Sequence, residues 1–108
     1  MGVRPLESKI KKIIATGENY ATEFKSSLQS YLNREENKAY FNKKIRFSVI
    51  KTIASFLNSN GGILFIGVND KKEIIGLDSD YSLDYENKNN PRDYFLRQIG
   101  SITRNYFF

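Results

Sequence analysis

The 108-residue chain contains no cysteine, no histidine and no tryptophan, two prolines and one methionine. Without cysteine there is no disulfide, no thiol nucleophile and no zinc–thiolate site. Without histidine the usual general base near neutral pH is missing, so acid–base or metal chemistry falls to carboxylates. Long apolar runs are also missing. Ile63 to Val68 is the longest, with Gly67 inside it, and is far too short to span a bilayer. The first residues, MGVRPLE, run into charge rather than an apolar signal core. A cytoplasmic protein with no membrane partner is therefore expected.

Hydrophobic residues at 40% and charged residues at 27% suit one small soluble domain with a single core. The net charge of +5 is unevenly spread: residues 1–51 carry 11 Lys/Arg against 5 Asp/Glu, and residues 52–108 carry 6 against 7. A basic half is what a phosphate-binding surface requires, although a solvated basic face with no partner has the same composition.

Leu6, Ile10, Ile13 and Ile14 recur at helical spacing and predict a short amphipathic helix ending at Gly17. Tyr20–Leu28 alternates as a half-buried strand, with Thr22 and Phe24 on one side and Ala21, Glu23 and Lys25 on the other. Residues 29–42 read as polar loop or as the early turns of the next helix, with Asn33 and Glu36 spaced as a capping box. From Lys43 the stripe Ile45, Val49, Ile50, Ile53, Phe56 and Leu57 predicts the main helix. It stops near Asn58, where SNGG brings turn chemistry.

ILFIGV then reads as a central strand covered on both faces, Asn69–Lys72 as a turn and Glu73–Leu77 as a returning strand. Gly67 permits close approach of another backbone or a ligand. Residues 78–91 read as a long loop. Asn90-Pro91 then starts a last helix striped by Phe95, Ile99, Ile102 and Tyr106. The apolar end, Tyr106-Phe107-Phe108, either docks on the core or marks a fragment of a longer protein, the reading preferred here.

Gly62 and Gly67 have P-loop spacing, but Val68-Asn69 stand where Lys-Ser/Thr is required, so ATP is not expected as a ligand. Glu18 and Glu23 are five apart. A straight strand puts them on opposite sides and a helix about 140° apart, so they meet only if the chain bends between them. Lys25, on the same strand face as Glu23, is a plain structural partner for it. Asp70 ends the apolar strand and serves either as a rim carboxylate or as a turn residue capping its own hairpin. Tyr20, Tyr81 and Tyr94 sit among polar residues where bases could stack.

The ordered string Gly17-Glu18, then EFKSS at 23–27, the helix end IASFLNSNGG, the strand ILFIGVND and the return EIIGLDSD resembles the Schlafen-type AlbA domain over about residues 6–80. Gln29–Asn42 looks like an insertion, and the closing strands of such domains are missing. The resemblance implies an α+β fold: a small mixed sheet, a long basic amphipathic helix, and a C-terminal helix packed on it. It also implies nucleic-acid binding, DNA or RNA, within a regulatory or defence protein. Lys11, Lys12, Lys43, Lys44, Arg46 and Lys51 are the expected phosphate contacts.

In animal Schlafen proteins a related core cleaves structured RNA with two glutamates, an aspartate and a divalent metal. Glu18 and Glu23 match those glutamates, and Asp70 is the candidate third acid. Such a site would use Mg²⁺ or Mn²⁺, with Lys25 steadying a phosphate oxygen. Two domains pack together to form the Schlafen RNA groove, which implies a homodimer here. A protein-interaction or dimerisation module is the remaining alternative.

Overall fold

The computed structural model describes residues 5–83 and 90–107. Its elements run α1 (Pro5–Thr16), β1 (Thr22–Lys25), β2 (Ser30–Asn33), β3 (Lys38–Phe41), α2 (Lys43–Leu57), β4 (Ile63–Ile66), α3 (Asp78–Tyr81) and α4 (Pro91–Tyr106). This is the expected α+β class. The strands form two small sheets: β1 and β4 pair in parallel, and β2 and β3 pair as an antiparallel hairpin.

The β1–β4 pair organises the core. Alternation along the strands sends Phe24 and Phe65 to one face, where they meet Ile10, Ile14 and Val68. Leu64 and Ile66 go to the other face, against Leu28, Val49, Ile50, Phe95 and Ile102. Helix α1 therefore covers one side of the sheet and α2 with α4 the other. Fully buried aliphatic residues such as Val49 and Ile102 contribute about 1.5–3 kcal/mol each.

The helix boundaries follow the sequence signals. Gly17, at φ +93°, ends α1. The Asn42 side chain caps α2 by accepting from Ile45 N at 3.0 Å, and Asn58 ends it. Asn90 caps α4 by accepting from Asp93 N at 3.1 Å, and Pro91 takes the first turn. Phe107 packs against the larger core cluster.

Three readings change. Residues 29–42 are not loop but the β2–β3 hairpin. There the Asn33 side chain does accept from Glu36 N, at 3.1 Å, closing a turn rather than capping a helix. Strand β4 pairs with β1 alone and is half-buried, because the expected return strand shrinks to one bridge between Val68 and Ile74. The predicted loop at 78–91 opens with the short helix α3, and residues 84–89 of it lie outside the described residues.

Asp80, on α3, is 1% exposed and pins the chain after β1. Its carboxylate accepts from Leu28 N at 2.7 Å, Gln29 N at 3.1 Å and Ser30 Oγ at 2.7 Å. Buried Gln29 continues the network: Arg46 donates to Gln29 Oε1 at 2.8 Å and to Gln98 Oε1 at 3.1 Å, joining the hairpin, α2 and α4.

Candidate functional site

Two chemically distinct groups of side chains stand out, one acidic and one basic. The acidic one begins where α1 ends. After Gly17 the chain reverses at once: Asn19 N donates to Thr22 O at 3.0 Å, Thr22 N donates back at 3.2 Å, and Ala21 N donates to Asn19 Oδ1 at 2.8 Å. That is the bend Glu18 and Glu23 need. The two residues flank the reversal, and their carboxyls stand close enough to interact.

Partial desolvation pushes the Glu18 carboxyl above its ordinary range. The neighbouring Glu23 carboxyl and the negative charge of Asp70 push it the same way, while the Lys25 ammonium opposes them. Lys25 Nζ lies 3.9 Å from Glu23 Oε1 and donates to Ser48 Oγ on α2 at 2.7 Å, so it links the pair to the main helix.

Asp70 stands in the turn after Val68. Asn69 Oδ1 braces that turn by accepting from Lys71 N and Glu73 N, both at 3.0 Å. Its charge reaches Glu18, but among the described residues no three acids are placed to hold a metal ion together. As arranged, Glu18, Glu23 and Asp70 do not form a three-acid cradle for Mg²⁺ or Mn²⁺.

The basic group lies on α2. Lys43, Lys44, Arg46 and Lys51 line one groove of about 840 Å³, with Phe41 from the end of β3, Phe47 from α2 and Tyr106 from the end of α4. Among the described residues no carboxylate lines it. Phe41, Phe47 and Tyr106 are 53%, 51% and 54% exposed, and Lys51 Nζ sits 5.0 Å from the centre of the Phe47 ring. Arg46 is the least free of the four cations because its Nη1 is engaged by Gln29 and Gln98. Lys11 and Lys12, also expected at a phosphate surface, are exposed on α1, across the sheet from this groove.

Of the aromatics singled out in the sequence, Tyr20 is exposed, whereas Tyr81 packs edge-on against Phe95 at 5.7 Å and belongs to the core. The rings of the groove were not among the candidates. Their local signal is the spacing Phe47–Lys51, one helical turn, together with Phe41 directly before Asn42-Lys43-Lys44.

An α+β domain of this topology, with an acid pair at the first bend and a cationic main helix, is the class the fold and site define. Residues 18–106 match the family model Schlafen, AlbA_2, and the chain belongs to that family. The match begins at Glu18, so it includes α4 and leaves α1 outside. No curated protein and no solved structure matches the chain. Family membership is compatible with a nucleic-acid-related domain. Among the described residues no helix is long and apolar enough to cross a membrane.

Proposed function

We propose that this domain binds nucleic acid through the cationic face of α2, as a module of a regulatory or defence protein. The observation that carries the reading is the convergence of Lys43, Lys44, Arg46 and Lys51 on one groove that, among the described residues, no carboxylate lines. Clustered cations on one helix attract a polyanion, and displacement of its counterions drives association. The phosphate backbone supplies that anion in DNA and RNA alike. The family match supports the reading.

Titration of labelled tRNA and duplex DNA over a range of salt concentrations tests it. Binding is expected to weaken with salt, with a logarithmic slope of about −0.9 per duplex phosphate neutralised. Lys43→Ala with Lys44→Ala should weaken both ligands to a similar degree and reduce the slope by about 2. A complete lack of salt-sensitive binding would rule the function out.

A further inference from the structure

We propose that the α2 groove takes unstacked bases, so that its preferred ligand is single-stranded nucleic acid with Phe41, Phe47 and Tyr106 as stacking platforms. This rests on the nucleic-acid reading above and adds what that reading leaves open, the strandedness of the ligand. Backbone attraction needs only the lysines. The rings need an occupant of their own.

Three rings from three elements stand about half exposed in one groove, interleaved with four cations. A folded domain gains by burying such rings, and this one leaves them at the surface together. Bases offer flat faces of matching size, and a base stacks on an aromatic ring whatever its sequence. Lys51, already placed over Phe47, keeps a cation beside any base that covers that ring.

Charge selects among the occupants. A second copy docking through this face in a two-fold contact would set Lys43, Lys44, Arg46 and Lys51 against the same residues of its partner. A polyanion carrying apolar planar groups satisfies both the cations and the rings. A duplex satisfies only the cations, because its bases are stacked on one another and only its backbone reaches the rings. A single strand offers both.

The chain contains no tryptophan, so Phe47→Trp installs one reporter in the groove. Its emission should be quenched on adding oligo(dT) and change little on adding a duplex of equal length. In parallel, anisotropy titrations of labelled oligo(dT) and of that duplex, at one salt concentration, should show tighter binding of the single strand. Phe41→Ala with Phe47→Ala should weaken the single strand by roughly 5- to 150-fold per stacked base. The duplex should change less than about twofold, with the salt slope kept.

Duplex binding as tight as single-strand binding, with no effect of the ring variants and no tryptophan quenching, overturns this inference and leaves the cationic interface standing. Failure of every nucleic acid to bind in a salt-sensitive way overturns the cationic reading and this one with it. A dimer in solution that becomes monomeric in the ring variants identifies the groove as a self-association face. Saturable binding of an acidic peptide that oligo(dT) does not displace identifies it as a protein-docking face. Either result overturns the inference. The tryptophan variant keeps a ring in place, so its result stands even if the double alanine variant does not fold.

Discussion

Asn19 and Thr22 exchange both backbone hydrogen bonds, at 3.0 and 3.2 Å, and that reversal sets Glu18 beside Glu23. The acid pair is therefore a product of a tight turn, closed further by the Asn19 side chain on Ala21 N. The turn brings together what regular structure would hold apart.

The raised Glu18 carboxyl makes the first bend sensitive to pH. The fold holds its proton more tightly than the unfolded chain does. The resulting stabilisation is present in acid and is lost as pH rises through the Glu18 pKa. Glu23→Gln removes the neighbouring charge, and the Glu18 carboxyl should fall back towards its ordinary range. Carboxyl NMR titration checks the direction. Thermal unfolding of the variant should improve relative to wild type from acid to neutral pH, by a small margin because Glu18 is exposed.

Manganese distinguishes an isolated acid pair from a metal site. With no three acids among the described residues placed around one ion, millimolar Mn²⁺ should leave the unfolding temperature of the free domain unchanged. It should also broaden the Glu18, Glu23 and Asp70 carboxyl signals no more than that of exposed Glu35. Selective broadening abolished by Glu23→Gln would show the acids closing around a metal, and RNA cleavage would then be the assay to run.

Asp80 should carry a large share of stability for one residue. Asp80→Ala leaves the buried Leu28 and Gln29 N–H groups and the Ser30 hydroxyl without this acceptor. At about 1–3 kcal/mol for each unsatisfied group, a loss of about 3 kcal/mol or more is expected in urea denaturation. Asp80→Asn keeps one acceptor oxygen and should cost less. A loss below about 1 kcal/mol for the alanine variant would show that water or rearranged neighbours replace the carboxylate.

Gly67 and Gly61 separate conformational strain from crowding. Both hold a positive φ, +93° and +89°, so alanine is strained by about 1–2 kcal/mol at either. A Cβ on Gly67 would stand 2.7 Å from Gly76 O, whereas one on Gly61 meets nothing within 4 Å. Gly67→Ala should therefore destabilise clearly more than Gly61→Ala, by about a further 1–3 kcal/mol for the overpacking. Equal losses in urea denaturation would show that the segment around Gly76 yields freely.

The parts of this fold that were legible in the sequence have dense local signals. Helix α2 has a continuous apolar stripe between two asparagine caps, and α4 opens with Asn90-Pro91. The condition for Glu18 and Glu23 to meet could also be stated in advance, because strand and helix geometry both forbid it. The β2–β3 hairpin was not legible. Only Ser30 and Ala39 are buried along its two strands, and its turn uses Asn37 at φ 51° where a glycine would have signalled the bend. Its Asn33–Glu36 contact has the spacing of a helix cap. The groove was missed for a different reason: positions 41, 47 and 106 form no local pattern, and Phe47 falls outside the buried stripe of its helix.

The parallel register of β1 on β4 rests on four residue pairs, Thr22–Ile63 to Lys25–Ile66. The same alternation that buries Phe24 under α1 turns Glu23 and Lys25 towards α2. Inserting or deleting one residue here would exchange core and charge in a single step. The acids can therefore be changed by substitution and the exposed β2–β3 turn lengthened without disturbing the core, whereas the number of residues from Thr22 to Lys25 is fixed by it.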